Sequence, residues 1–297
     1  MSLIGQCQSR PSVLVENDAH PKVSKLTEAI TLSAAQALLE AYDGEPIPPL
    51  TATYPGMTLD DAYEIQLQQV RHWTGSGRTV RGHKVGLTSV AMQRQLGVDQ
   101  PDYGHLTGDM FHLESQPISI ERFLSPKVEP EIAFLLKSAL AGPGVTVADA
   151  ISAIDYALPA LEIIDSRIRD WKITLADTVA DNASSAGVVL GSTPVTLNQL
   201  TQSGYSLRTV GCTLYQCGRV VGTGAGGAAL GSPLNALVWL ANTVGVRGVA
   251  LEAGAVILPG SVTAAVPVAA GQSVTAHFAG LGTVTAAFAS SSASAEK

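Results

Sequence analysis

The sequence predicts an α+β protein, with a β-rich mixed body behind a small N-terminal helical region. Three observations carry this. Two stretches near the start place apolar residues at helical spacing, and from about residue 79 the chain changes to short apolar runs separated by glycines. No repeat of fixed period appears, which disfavours a propeller or a solenoid.

Residues 1–24 mix Pro, Ser and charges without periodicity, and residues 291–297 are small and polar, so both read as flexible extensions without chemistry. The start has neither the basic opening nor the continuous apolar stretch of a secretory signal. No later run reaches the roughly 20 apolar residues that span a bilayer. The first helix is expected over Leu26 to Tyr42, "LTEAITLSAAQALLEAY", with "DGEPIPP" as its stop. The second follows at "TLDDAYEIQLQQVRHW", with Thr58 as N-cap and Asp60 and Asp61 in the first turn, where carboxylates complement the helix dipole. Residues 25–78 are thus expected to form an N-terminal helical region, ahead of a β-rich domain over residues 79–290.

Within that domain, strands are expected at "GHKVGLT", "VEPEIAFLL", "GVVLG", "LRTVGCTLYQCGRVVG", "AVILPG" and "VTAHFAGLGTVTAAF". Helical pieces interrupt them at "SVAMQRQLG", "VADAISAIDYAL" and "SPLNALVWLANTVG", the last with Ser232 as N-cap and Pro233 opening the helix. The glycine-rich "GTGAGGAALGSP" resembles a phosphate loop only superficially. It lacks the Lys-Ser/Thr ending and the strand-helix-strand context that phosphate or dinucleotide binding requires.

With 18 Lys+Arg against 25 Asp+Glu the formal charge is -7, and no basic cluster is visible, so neither nucleic acid nor an anionic membrane is expected as a partner. Cys7, Cys212 and Cys217 suggest neither a disulfide framework nor a zinc site, and a reducing cytoplasm fits them.

The chemistry starts at "SPKVEPEIAF". On a strand over residues 127–136, Glu129 and Glu131 project from one face, while Val128, Pro130 and Ile132 point to the other. Such a pair is either a solvent-facing strand surface or half of a site for a hard divalent cation such as Mg2+ or Mn2+. Glu162, embedded in the apolar "LPALEIIDSRI", adds a third carboxylate. It is either a site member or a partner for Arg167 or Arg169, a task that Asp165 could also perform. Three buried carboxylates would be balanced by a divalent ion and one lysine, and unpaired they would be costly. Lys84 in "GHKVGLT" is the candidate, the alternative being a surface lysine at a strand end.

Together, "GHKVGLTSVAMQRQLGVDQPDYGHL", "PKVEPEIAF", "LPALEIIDSRIRDWKITLADTVADNASSAGVVLG" and "LGSPLNALVWLAN" resemble the 2-hydroxypenta-2,4-dienoate hydratases and their relatives, the 4-oxalocrotonate decarboxylases. Both groups lie in the fumarylacetoacetate hydrolase-like superfamily. The resemblance runs in order from about Thr58 to Phe288. It implies that superfamily's β-rich mixed fold, with a divalent metal, Mg2+ or Mn2+, held by Glu129, Glu131 and Glu162. It places the catalytic lysine at Lys84 and the acidic partner of "PDYG" at Asp102, on a loop facing the same pocket. Ser184 of "DNAS" and Ser261 after "ILPG" become substrate contacts; their alternatives are a turn cap and a bond to local backbone.

The implied activity is hydration of 2-hydroxypenta-2,4-dienoate, or a close substituted analogue, to 4-hydroxy-2-oxopentanoate in meta-cleavage breakdown of aromatic or steroid compounds. Lys84 and Asp102 would share the acid and base roles, in an order that the sequence leaves open. The resemblance also implies a homo-oligomer, a pentamer or decamer, and association with a pathway aldolase or decarboxylase. The rivals are a 4-oxalocrotonate decarboxylase, a carbon-carbon hydrolase using His83 or His105, and a non-catalytic partner subunit. The segment reads "ILPGS" where many hydratases have "ILTGA", so the pocket wall there differs.

Overall fold

The computed structural model describes residues 26–114 and 116–290; the expected extensions over 1–24 and 291–297, with Cys7, lie outside the described residues. Helix α1 (Glu28–Ala41) is capped by Thr27, whose hydroxyl accepts from the Ile30 N–H. After the short α2 (Leu50–Thr53) comes α3 (Leu59–Gly75), which opens as expected. The Thr58 hydroxyl accepts from the Asp61 N–H at 3.2 Å, and the Asp61 carboxylate accepts from the Thr58 N–H at 2.8 Å. This reciprocal pair satisfies two otherwise orphaned donors. Helix α3 then turns Tyr63, Ile65, Gln66, Gln69 and Trp73 inward.

The body follows as β1 (Val80–Gly86), α4 (Val90–Leu96), β2 (Asp102–Thr107), β3 (Phe111–His112), β4 (Lys127–Leu136), α5 (Val147–Ala153) and β5 (Ile154–Ile164). Then come α6 (Leu175–Ala180), β6 (Ser185–Leu190), α7 (Leu197–Gln202), β7 (Gly211–Gln216), β8 (Arg219–Ala225) and α8 (Pro233–Gly245). Four strands complete it: β9 (Val256–Leu258), β10 (Val266–Pro267), β11 (Ser273–Phe278) and β12 (Gly282–Ala287). One mixed sheet runs β2-β1-β9-β4-β5-β6-β3 with β10 on β4; a second, antiparallel sheet runs β12-β11-β7-β8. The second lies with β11 and β12 against β5. Helix α3 packs on α1 and α6, and α5 on α8.

Strand β4 shows how the large sheet divides two environments. Val128, Ile132, Phe134 and Leu136 are buried on one face in the main core. Glu129, Glu131 and Ala133 alternate with them on the other. That second face carries a smaller apolar cluster, including Leu106, Ala133, Leu158, Ala160, Val188 and Leu258.

Three expectations need correction. The helix expected over "VADAISAIDYAL" ends at Ala153, and strand β5 begins at Ile154. Apolar residues fill both faces from Ala157 onward, and such a run has no period that separates helix from strand. In "LRTVGCTLYQCGRVVG" the strands start only at Gly211. Ser232 does precede α8, but its side chain makes no capping bond, and Pro233 alone marks the start.

Candidate active site

Register brings the five charged residues together. Glu129 stands opposite Glu162 and Glu131 opposite Ala160 on the β4–β5 ladder, so all three carboxylates share a face. On the neighbouring ladder Lys84 of β1 pairs with Gly104 of β2, and Gly86 with Asp102. Asp102 is therefore the first residue of a strand, not part of a loop. β9 links the two ladders, pairing with β1 on one side and β4 on the other.

Glu131 and Glu162 are fully buried, Lys84 is 3% exposed and Asp102 2%; Glu129 is half-buried. Ligand oxygens of Glu129, Glu131 and Glu162 lie within 4.8 Å of one another. The Lys84 Nζ stands 3.4 Å from Glu162 Oε1 and donates to the Ala183 carbonyl at 2.9 Å. Burial pushes the Glu162 carboxyl up to about 7, against the pull of Lys84 and with Glu129 adding to the rise. Burial also raises Glu131, reinforced by Glu162 and Glu129. Burial alone would lower Lys84, but Glu162, Asp102, Glu129 and Glu131 together outweigh it, so the ammonium is held protonated.

This arrangement fits a hard cation. Glu131 Oε1, Glu162 Oε2 and Asp102 Oδ1 are buried without a hydrogen-bond donor, and Glu162 Oε1 has only the Lys84 ammonium at 3.4 Å. Such oxygens in an apolar face are costly unless a positive partner supplies what water would. An all-oxygen donor set suits Mg2+, Mn2+ or Ca2+ better than zinc or copper.

Turns beside the carboxylates meet around Thr88, with backbone doing work that the sequence could not display. The Gly260 N–H donates to Glu131 Oε2 at 2.6 Å, and Gly260 has φ +112°, where a Cβ would also collide with Thr88. A Cβ at Gly86 would run into Asp102 Oδ1. Leu87 and Leu230 adopt positive φ beside these turns, and the Leu230 N–H donates to the Thr88 carbonyl at 3.0 Å. Strained backbone of this kind gathers where geometry matters more than stability.

The remaining candidates divide. Ser184 is buried next to this group, with its hydroxyl 3.1 Å from that of Thr178. The Ser261 hydroxyl donates to the Thr263 carbonyl at 2.8 Å, the backbone-bonded alternative for that position. Arg167 is no partner of Glu162: its guanidinium pairs with Asp181, and Asp165 accepts from the Leu124 and Ser125 N–H groups instead. His83 and His105 face each other with ring centroids 4.9 Å apart, one position out of phase with Lys84 and Gly104 and so on the opposite face of the sheet. A cavity of about 440 Å³ between the helical region and the sheet, lined by Tyr42, Arg78 and Arg122 among others, contains none of the five charged residues. Cys212 and Cys217 form no disulfide. Among the described residues no helix is long and apolar enough to cross a membrane.

Comparison with known proteins finds relatives over most of the chain. The 2-keto-4-pentenoate hydratase of Paraburkholderia xenovorans is 46% identical over 258 residues, spanning 86% of this chain and 94% of the relative. The 2-hydroxyhexa-2,4-dienoate hydratase of Comamonas testosteroni is 41% identical over 256 residues, spanning 85% and 95%. In structure, the 4-oxalocrotonate decarboxylase of Pseudomonas putida G7, complexed with magnesium and adipate, superposes with a TM-score of 0.85 at 38% identity, covering 89% of this chain and 99% of that one. A family model described as fumarylacetoacetate (FAA) hydrolase C-terminal matches residues 74–289, and with relatives of such identity over most of its length, the chain belongs to the fumarylacetoacetate hydrolase family.

Proposed function

We propose that this chain is a metal-dependent hydro-lyase that adds water to 2-hydroxypenta-2,4-dienoate, or a close substituted analogue, to give 4-hydroxy-2-oxopentanoate in meta-cleavage catabolism of aromatic or steroid compounds. One observation carries the reading: a lysine and four carboxylates are gathered on one sheet face in a chain 46% identical to a 2-keto-4-pentenoate hydratase. Glu129, Glu131 and Glu162 would hold the divalent cation, Mg2+ or Mn2+, which when bound supplies Lewis-acid stabilisation of enolate charge.

The protons are the business of the chain. The dienol loses the proton of its 2-hydroxyl and gains one at carbon 5; water then adds hydroxide at carbon 4 and a proton at carbon 3. Asp102 Oδ1, buried and without a donor, is the acceptor for a proton leaving oxygen. Lys84 Nζ, held charged by its carboxylate neighbours, is the donor towards carbon. The apolar floor of Leu106, Ala160, Val188 and Leu258 excludes water from these groups and strengthens each charge interaction. Ser184 is kept as a substrate contact; Ser261 is weaker, its hydroxyl being engaged by backbone.

The alternative is a 4-oxalocrotonate decarboxylase, supported by the TM-score of 0.85 and 38% identity to that enzyme. The test runs 2-hydroxypenta-2,4-dienoate and 4-oxalocrotonate in parallel, with and without Mg2+, following dienoate absorbance and identifying products by mass. Metal-dependent gain of water on the first supports the hydratase; loss of CO₂ from the second replaces it with the decarboxylase. A homo-oligomer, cytoplasmic location and a helical region over 25–78 ahead of a catalytic domain over 79–290 complete the proposal.

A further inference from the structure

The carbonyl that meets Lys84 belongs to an improbable stretch of backbone. Asn182, Ala183 and Ser184 are three successive non-glycine residues in the left-handed region, with φ of 51°, 51° and 57°. L-residues visit that region singly, so three in a row must be held from outside. Asn182 is fully buried and supplies the hold: its Oδ1 accepts from the His105 N–H at 2.8 Å, and its Nδ2 donates to the His105 carbonyl at 2.9 Å. The fit is close enough that a Cβ at Gly104, the residue paired with Lys84, would collide with the Asn182 carbonyl. With Asn182 clasped to β2, the next residue directs its carbonyl onto Lys84 Nζ at 2.9 Å.

We propose that Asn182 is a positioning residue: its side-chain amide, clasping both backbone groups of His105, holds the left-handed turn that presents the Ala183 carbonyl to Lys84 and so fixes where the ammonium points. All the other groups acting on that ammonium are carboxylates, Glu162 at 3.4 Å and Asp102, Glu129 and Glu131 beyond it. A neutral acceptor sets direction without adding a fifth carboxylate to the four, and leaves the remaining protons of the ammonium for the reaction. Released from it, the ammonium turns towards Glu162. The proposal rests on the hydro-lyase reading only in naming Lys84 as the proton donor; the clasp and its effect on Lys84 stand without it.

The test compares Asn182→Ala and Asn182→Asp with the parent protein, checking each variant by thermal melting. Asn182→Ala is expected to lower kcat on 2-hydroxypenta-2,4-dienoate about 10- to 100-fold with KM changed far less, the pattern of a misplaced catalytic group. Asn182→Asp offers two acceptors at high pH and one acceptor plus one donor when protonated, so its kcat relative to the parent should rise as pH falls. A parent-like kcat in Asn182→Ala, or a flat ratio for Asn182→Asp, overturns the proposal. If the alanine variant does not fold, Asn182→Gly permits the left-handed φ without holding it, and removes the clasp. A crystal structure of whichever variant folds gives a readout independent of turnover. The Ala183 carbonyl should leave Lys84 Nζ, and its retention within hydrogen-bond distance overturns the proposal even if the dienoate proves not to be the substrate.

Discussion

Glu129 and Glu162 face one another directly across the β4–β5 ladder, a placement in which two carboxylates repel unless a cation is shared between them. Replacing Glu162 by Gln keeps shape and removes charge. Mn2+ affinity, read by electron paramagnetic resonance titration, should fall at least about tenfold, because ligand charge sets the strength of an oxygen site. Unchanged affinity would move the metal away from the trio. In the parent protein a chelator should abolish turnover and Mg2+ restore it.

Lys84 is the buried cation among those carboxylates. Lys84→Met should reduce turnover by at least about 100-fold. It should also destabilise the metal-free protein by about 3 kcal/mol, as expected when one partner of a buried ion pair is removed. Urea melts with and without Mg2+ separate the two effects: saturating Mg2+ should recover much of the stability but none of the turnover. Activity within tenfold of the parent would remove Lys84 from the chemistry.

Two glycines should fail in different ways. Gly86→Ala drives a methyl into Asp102 and should lower kcat while leaving Mn2+ affinity near its parent value. Gly260→Ala forces a side chain to φ +112°, against Thr88, and disturbs the N–H that holds Glu131, so metal affinity should fall as well. The same Mn2+ titration distinguishes them, and equal affinities in the two variants would contradict the geometry.

Burial pushes His83 down to about 3, with His105 adding to the fall, and His105 itself to about 4. A folded value below the unfolded 6.5 means stability that is complete above pH 6.5 and lost as pH falls towards the folded values. At pH 5 each imidazole should cost about 2 kcal/mol. The glutamates, raised in the folded state, act in the opposite direction over the same range. The informative quantity is thus the difference between the parent and His105→Phe in denaturant melts at pH 7.5 and 5. The histidine contribution predicts a shallower pH dependence in the variant, and identical slopes would refute it.

Much of the site was legible because it is local. Two glutamates at a spacing of two must share a strand face, and an apolar frame around Glu162 marks burial. Helix starts at Thr58 and Pro233 follow from side-chain chemistry within one turn. What the sequence hid depends on register between distant strands. Asp102 of "PDYG" reads as part of a loop, yet pairing with Gly86 makes it a strand residue. The partner of Arg167 was missed because Asp165 is nearer in sequence than Asp181, and Asp165 is already occupied by two backbone donors. The contributions of the Gly260 N–H and the Ala183 carbonyl leave no side-chain signature.

Gln66 and Gln69 reach from α3 to the backbone of the site's supports. Gln66 donates to the Tyr103 and Val179 carbonyls at 3.0 and 2.8 Å, and Gln69 to that of Ala180 at 2.7 Å. The family model matches only from residue 74, after nearly all of α3, whereas the alignment with the Paraburkholderia xenovorans hydratase, over 86% of the chain, takes the helix in. A trimmed version beginning at Thr79 would therefore keep every charged group and lose the splint that braces them. For anyone recombining parts among relatives, that helix is a tuning peg: it reaches the charged groups through the backbone of β2 and α6, without supplying one of them.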